Sequence, residues 1–279
     1  MPWWGLPLLL FFVAFFLGML AVLGGVGGGV LFVPIVSGFF PFHFDFVRGG
    51  GLLIALSGAL AASPRLLSAG LADLRLALPL CLIASLFSIA GAVIGLALPT
   101  NLVQVLLGGT IIVVSFIMVK TKYSANRNRR GEDLLGNILK LSGIYREEST
   151  KEQISWKAQN TVPGLVTFSF VGLIAGMFGL GAGWANVPVL NIMMGIPIKV
   201  AVGTSKFIIS VTDTSAVWVY LNSGAIFPVI VTPAVVGMML GTRIGVNMLK
   251  KIRPGSLRYF VIVILFFAGL RTLVKGFGI

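Results

Sequence analysis

Two glycine-rich loops are the parts of this sequence whose residue types and spacing could do chemistry. Each is followed by a proline five residues after its last glycine: Gly25, Gly27, Gly28 and Gly29 precede Pro34, and Gly179, Gly181 and Gly183 precede Pro188. Glycines at this density break a helix, because each costs about 1 kcal/mol relative to alanine in a helix interior. The break exposes backbone N–H groups at the positive end of the next half-helix, which attracts an anion. We therefore predict that both loops bind a small anion.

A structural interpretation of the same glycines competes with this prediction. Small residues also allow membrane helices to pack closely, and this role needs no ligand. A nucleotide-binding fingerprint is a much weaker interpretation, because no strand–helix–strand pattern surrounds either loop.

The charged residues inside apolar segments are the second candidates, since such residues are costly in a membrane. Lys206 and Asp213 are seven residues apart and share one helix face. We predict that Thr204, Ser205 and Lys206 contact the anion and that Asp213 carries a proton. The structural alternative is that Lys206 extends to the headgroups while Asp213 bonds to neighbouring helices.

Two further side chains are weaker candidates. Asn186 lies two residues before Pro188 and is predicted to bind the anion, whereas its counterpart in the other loop is Phe32. Arg243 is a candidate gating residue, with pairing to lipid phosphate as the alternative.

A polar cluster of His43, Asp45 and Arg48 falls at a predicted outer mouth. With one histidine and one cysteine, Cys81, in the chain, we expect neither a metal site nor a cofactor. The sequence also shows no paired carboxylates and no serine–histidine arrangement, so we do not expect an enzyme.

The composition indicates that the glycine loops and the charged candidates lie within a membrane protein. Of 279 residues, 57% are hydrophobic and 10% charged, against about 25% charged in a soluble domain. Mean hydropathy is +1.02, and apolar runs of about 20 residues recur along the chain. The expected fold is an all-α polytopic membrane protein in contact with the lipid bilayer.

An internal repeat organises these segments. A shift of 154 positions carries Gly25 onto Gly179 and Pro34 onto Pro188 without a gap. We predict a first transmembrane repeat over 1–119 and a second over 161–279, each with about five transmembrane or re-entrant helices. The second segment of each half is short and is predicted to be re-entrant.

Lys and Arg placement predicts the orientation, because these residues concentrate in cytoplasmic loops. Nearly half of them lie in 120–160, which we predict to be a cytoplasmic basic loop with a short amphipathic helix. The net charge of +13 thus points to anionic lipid, and no nucleic acid partner is expected. The positions of the other basic turns predict that the two halves have opposite orientations in the inner membrane and that both termini lie on its outer side. Arg271 and Lys275 near the C-terminus argue mildly against this.

The chain resembles the TauE/SafE family of sulfite and organosulfonate exporters. The resemblance rests on three stretches: 24–29 with Pro34, 179–183 with Pro188, and 201–205. It covers nearly all of the chain outside 120–160 and implies an inner-membrane carrier that exports sulfur-containing anions, coupled to the proton gradient. The first half departs from the pattern, because Arg48 and three glycines replace the hydroxyl-bearing stretch of the second half.

Two functional hypotheses follow for a small-anion substrate. One is a secondary transporter that alternates access around a midplane site made by the two breaks. The alternative is a passive anion channel with the loops as its filter. The sequence leaves open which anion is carried, the coupling ion, the direction of transport and whether the chain forms a homo-oligomer.

Overall fold

The helices and strands occur in an order that repeats around a central hairpin. A computed structural model describes residues 5–23, 27–40, 42–120, 133–146, 153–249 and 255–278. The first half contains α1 (Gly5–Leu23), α2 (Gly28–Phe39), α3 (Phe44–Ser68), α4 (Leu74–Ala97) and α5 (Thr100–Lys120). The connecting segment contains α6 (Leu134–Ile138), β1 (Ser142–Arg146) and β2 (Gln153–Lys157). The second half contains α7 (Thr161–Phe178), α8 (Gly183–Pro188), α9 (Ile198–Asn222), α10 (Pro228–Leu249) and α11 (Gly255–Gly276).

Long apolar helices confirm the predicted polytopic membrane fold. Among the described residues, five helices are long and apolar enough to cross a membrane: α1, α3, α4, α5 and α7. The short α2 continues for 12 residues, and α8 continues into a π-helical turn over Val189–Met193. Both elements are too short to span about 30 Å of hydrocarbon by themselves.

The contacts between helices are symmetric with respect to the two halves. Helices α3 and α9 are separated by the same 154-residue shift, and so are the starts of α4 and α10. Helix α1 packs along α10 while α7 packs along α4, and α3 packs on α9 while α5 packs on α11. Each pair is thus carried onto itself or onto another observed pair when the halves are exchanged. The inverted orientation of the halves stays a prediction that this pattern favours.

Glycine contacts between these helices follow the same rule. Some glycines lie so close to a neighbouring helix that a Cβ would touch its backbone: Gly18 at Met238 mirrors Gly172 at Ala84, and Gly91 at Leu173 mirrors Gly245 at Met19. The second member of each pair is the first shifted by 154 positions, with the roles of the halves exchanged. Small residues therefore set the close helix crossings in both halves at equivalent places.

The C-terminal end of α2 is held by basic side chains of α11. Arg271 Nε donates to the Gly38 carbonyl at 2.7 Å, and Lys275 Nζ donates to the Ser37 carbonyl at 2.7 Å. The last carbonyls of a helix lack partners within it and carry partial negative charge. This capping gives Arg271 and Lys275 a tertiary role that is independent of the rule for cytoplasmic loops.

The connecting segment is more structured than a polar loop with one helix. Helix α6 lies within the stretch predicted to be helical, but β1 and β2 form an antiparallel hairpin that was not predicted. Tyr145, Trp156 and Ala158 are buried in the core cluster that includes Leu76 and Leu80 of α4. The basic stretch over 121–132 lies outside the described residues. The described part of this segment therefore packs onto the helices, because its apolar side chains find a partner surface at the α4 end.

Asp133 joins this segment to α7, and its bonds predict a pH dependence. Its carboxylate accepts from Gly136 N at 3.0 Å and from Thr161 N and Oγ1 at 2.8 and 2.7 Å. Burial opposes ionisation, but the hydrogen bonds from Thr161 and Gly136 and the charge of Lys157 outweigh it and lower the Asp133 pKa. Its stabilising contribution is therefore complete above the unfolded pKa of about 3.9 and is lost as pH falls through the lower folded value.

We expect Asp133→Ala to lower the free energy of local unfolding at the α6–α7 junction by about 1 kcal/mol, as the loss of an N-cap residue does in other helices. Hydrogen exchange of the Gly136 and Thr161 amides at neutral pH measures this loss. In the wild type the same amides should lose protection only under acid conditions. Equal protection in the variant and the wild type at neutral pH would contradict the assigned role.

Candidate functional site

The first glycine break separates α1 from α2. Helix α2 begins at Gly28, and the preceding Gly27 has an extended backbone with φ −75° and ψ 149°. No side chain caps this helix start, so its first N–H groups lack an intrahelical acceptor. Of the predicted site residues in this loop, Gly27, Gly28 and Gly29 are buried, and Gly25 lies outside the described residues.

The second break separates α7 from α8 and uses the left-handed conformation twice. Gly179 ends α7 with φ +72°, and its N–H donates to the Ala175 carbonyl at 3.0 Å. Gly181 has φ +68°. Side chains with a Cβ rarely adopt this region, so the glycines allow the chain to leave α7 and restart as α8 at Gly183.

The two breaks touch each other. A Cβ on Gly183 would overlap the backbone nitrogen of Gly27 and lie 2.5 Å from its Cα. A Cβ on Gly29 would lie 2.6 Å from the Leu180 carbonyl oxygen and 2.9 Å from that of Gly51. Only glycine permits these approaches, which bring the starts of α2 and α8 together in the protein interior.

Asp213 of α9 lies beside the second break. Its side chain is 0% exposed, and a Cβ on Gly181 would lie 2.7 Å from its Oδ2. Lys206 of α9 is 5% exposed and interacts electrostatically with Asp213. The structure therefore brings the two predicted charged residues onto the face of α9 that meets the break.

Unpaired polar atoms add to this region. The Asp213 carboxylate faces the Ala182 backbone N–H without a hydrogen bond of normal geometry, and neither amide atom of Asn186 nor the Thr212 hydroxyl has a hydrogen-bond partner among the described residues. Asn186, Thr212 and Asp213 are each 0% exposed. Buried polar groups are nearly always hydrogen-bonded, so these side chains of α8 and α9 are candidates for binding a polar solute, an ion or water. Thr212 was not singled out from the sequence.

The hydroxyl candidates behave differently from the charged ones. Thr204 Oγ1 accepts from the Asp73 backbone N–H at 3.1 Å, so it joins α9 to the start of α4. Ser205 is buried with 1% exposure. A ligand role for Thr204 would have to break its bond to Asp73.

Arg243 does not join the other candidates. Its side chain is exposed on α10, and its backbone carbonyl accepts from Arg65 Nη1 at 3.5 Å. The gating role predicted from the sequence has no geometric support at this position.

Arg48 is the group that sequence reasoning undervalued. Its side chain is 1% exposed, and Nη1 donates to the Gly95 carbonyl at 2.8 Å and the Met177 carbonyl at 3.1 Å. Its Nη2 pairs with Asp45. The usable signal was its position inside the third apolar segment, where an arginine indicates function by default.

The site's donors suit an anion or a proton better than a metal. Among the described residues, no group of three or more His, Cys, Asp or Glu side chains could hold a metal ion. The candidate side chains on α8 and α9 are an amine, an amide, a hydroxyl and one carboxylate, and the carboxylate lies beside the second break.

Comparison with known proteins gives a consistent result. The family model described as "Sulfite exporter TauE/SafE" matches residues 10–272. A probable membrane transporter protein, YunE, of Bacillus subtilis is 21% identical over 93% of this chain and 94% of its own length. A probable membrane transporter protein, MJ0441, of Methanocaldococcus jannaschii is 25% identical over 96% of both chains. No solved structure matches the chain significantly.

Proposed function

The chain belongs to the TauE/SafE sulfite exporter family and is a multi-pass membrane transporter, and we propose that it is a secondary transporter that exports sulfite or a related small sulfur-containing oxyanion. The transport is coupled to protons through Asp213. It takes place in the inner membrane, with 120–160 in the cytoplasm and both termini outside.

One observation carries the proposal: two glycine breaks from different halves touch inside a membrane protein. Each break starts a helix, and the contact between Gly27 and Gly183 brings these starts together. Helix starts supply N–H donors and a positive dipole end, both of which favour a small oxyanion. Substrate sites in inverted-repeat transporters are made in the same way.

The second support is the buried polar group beside the breaks. Lys206 supplies positive charge, and Asn186 supplies an unpaired amide that can donate to an oxyanion. Asp213 repels an anion when ionised and tolerates it when protonated. A carboxylate next to an anion site therefore couples the binding of the anion to the binding of a proton.

The contacts between halves support alternating access. Helices of the two halves pack in pairs that are retained when the halves are exchanged, the symmetry expected of a carrier in which one half rocks against the other around the touching breaks. A rigid pore of the same composition would instead act as a passive channel.

Counterflow in proteoliposomes tests this function. Vesicles loaded with unlabelled sulfite should take up radiolabelled sulfite faster than empty vesicles, because a carrier returns more quickly when loaded. Sulfate, thiosulfate and a sulfonate, each added outside, rank the substrate class by competition. Flux without stimulation by internal sulfite indicates a channel, and the absence of flux for all four anions rejects the proposal.

A further inference from the structure

The described part of the chain contains a second buried cation far from Lys206 in sequence. Arg48, Lys206 and Asp213 are the charged side chains buried among the described residues. Arg48 lies near the start of α3, and Lys206 lies near the start of α9, the equivalent helix of the other half. If the halves are inverted as predicted, these two starts face opposite sides of the membrane.

The surroundings of Arg48 belong to the predicted outer side. Its Nη1 bonds to Gly95 near the end of α4, before the turn at 99–101, which contains no Lys or Arg and is therefore predicted to lie outside. The neighbouring Gly49 contacts Ala225, which follows the turn at 222–224, where the absence of Lys and Arg likewise predicts an outer position. Lys206 lies instead two residues after Thr204, whose hydroxyl contacts Asp73 in the turn that Arg65 and Arg75 place on the predicted cytoplasmic side.

Arg48 also contacts the second glycine break directly. A Cβ on Gly179 would lie 2.6 Å from the Arg48 Cα. The guanidinium lies over two aromatic rings, 4.9 Å from the Phe44 ring centre and 5.9 Å from that of Tyr220. Such cation–π contacts stabilise a buried positive charge. The backbone of Arg48 therefore lies against the second break, and its guanidinium bonds to the carbonyl of Met177, two residues before Gly179.

The guanidinium has capacity for one more acceptor. Its Nε has no hydrogen-bond partner among the described residues, although the side chain is 1% exposed. Its Nη2 is occupied by the Asp45 carboxylate, whose side chain is 28% exposed. Guanidinium binds oxyanions through paired N–H donors, with the same geometry for a carboxylate as for sulfite or a sulfonate.

From these contacts we propose that Arg48 is the outer binding subsite for the transported oxyanion, with the Asp45 carboxylate as its resident competitor. This inference rests on the proposed function. The anion passes from the Lys206 side to the breaks and then displaces Asp45 from Arg48 before release. When the anion departs, Asp45 returns and neutralises the buried guanidinium, which would otherwise be costly without a counter-charge.

The Arg48 side chain also connects the two halves. Arg48 of α3 bonds to Met177 of α7, and Tyr220 of α9 donates to the Gly176 carbonyl of α7 at 2.9 Å. Of these two bonds, the Arg48–Met177 bond joins the halves, so the proposed subsite lies where a side chain of the first half contacts the second.

Sulfite exchange in right-side-out and inverted membrane vesicles tests the subsite. Exchange by the wild-type protein decides the proposed function, and the variants then decide the subsite. We expect Asp45→Asn to lower the half-saturating sulfite concentration at the outer face by about tenfold, because the competing charge is removed. The inner-face value should stay unchanged.

A second variant and a control complete the design. Arg48→Gln should raise the outer half-saturating concentration by about tenfold or more. Arg75→Gln, which changes an exposed arginine at the start of α4, should alter neither value. If Arg48→Gln does not reach the membrane, Asp45→Asn still decides the outcome. Active wild-type exchange together with an unchanged or raised outer value in Asp45→Asn overturns the subsite.

Discussion

Replacing Asp213 with asparagine should strongly reduce accumulation of sulfite driven by a pH gradient while sulfite exchange continues. The variant keeps the size of the buried side chain next to Gly181 but cannot bind and release a proton. Exchange requires only the anion site to alternate, whereas accumulation requires the proton to move with or against the anion. We expect gradient-driven accumulation to fall by about tenfold or more, since a coupling of about 1–3 kcal/mol is lost.

Proteoliposomes with an imposed pH gradient measure this effect, with counterflow in the same preparation as the reference. Asp133→Asn is the matched control, because it neutralises a carboxylate in the connecting segment between the halves. It should leave accumulation unchanged. Gradient-driven accumulation at the wild-type level in Asp213→Asn removes Asp213 from the coupling mechanism. Loss of both exchange and accumulation in a folded variant would instead assign Asp213 to the anion site.

Replacing Gly183 with alanine should strongly reduce transport, because the added methyl group would force the two glycine breaks apart. The new Cβ would overlap the backbone of Gly27 and lie 3.1 Å from Ile209 Cδ1. Backbone atoms cannot move aside as a side chain does, so the two helix starts must separate. Overpacking of this kind costs about 1–3 kcal/mol, and we expect transport to fall by about tenfold or more.

Two other glycines supply the comparison. A Cβ on Gly27 would lie 3.2 Å from the Gly183 Cα, a contact that a shift of a few tenths of an ångström relieves. Gly27→Ala should therefore be milder than Gly183→Ala. Gly109→Ala places its Cβ in open space on α5 and should be silent. Thermal unfolding of the detergent-purified variants separates lost transport from lost folding. Equal transport in all three variants would show that the breaks need not touch.

Most of the fold could be predicted from the sequence. Apolar runs of bilayer length determine membrane helices, because a backbone in lipid must satisfy its hydrogen bonds within each segment. The glycine spacing located both helix interruptions, and the 154-residue shift related the helix starts in the two halves. The hairpin in the connecting segment was missed, because its strands are short and gain stability from packing against α4 rather than from a strong pattern of their own.

The site was determined only in part by the sequence. Lys206, Asp213 and Asn186 stood out because polar groups in apolar segments are costly, and this cost depends on residue type alone. Their position beside Gly181 and the contact of Gly27 with Gly183 depend on how helices from different halves pack. Burial of Arg48 against Gly95 and Met177, and the bond that draws Thr204 toward Asp73, depend on the same packing. Residue types thus determined which groups needed partners in the membrane, and only the tertiary structure decided which partners they have, because those partners come from distant parts of the chain.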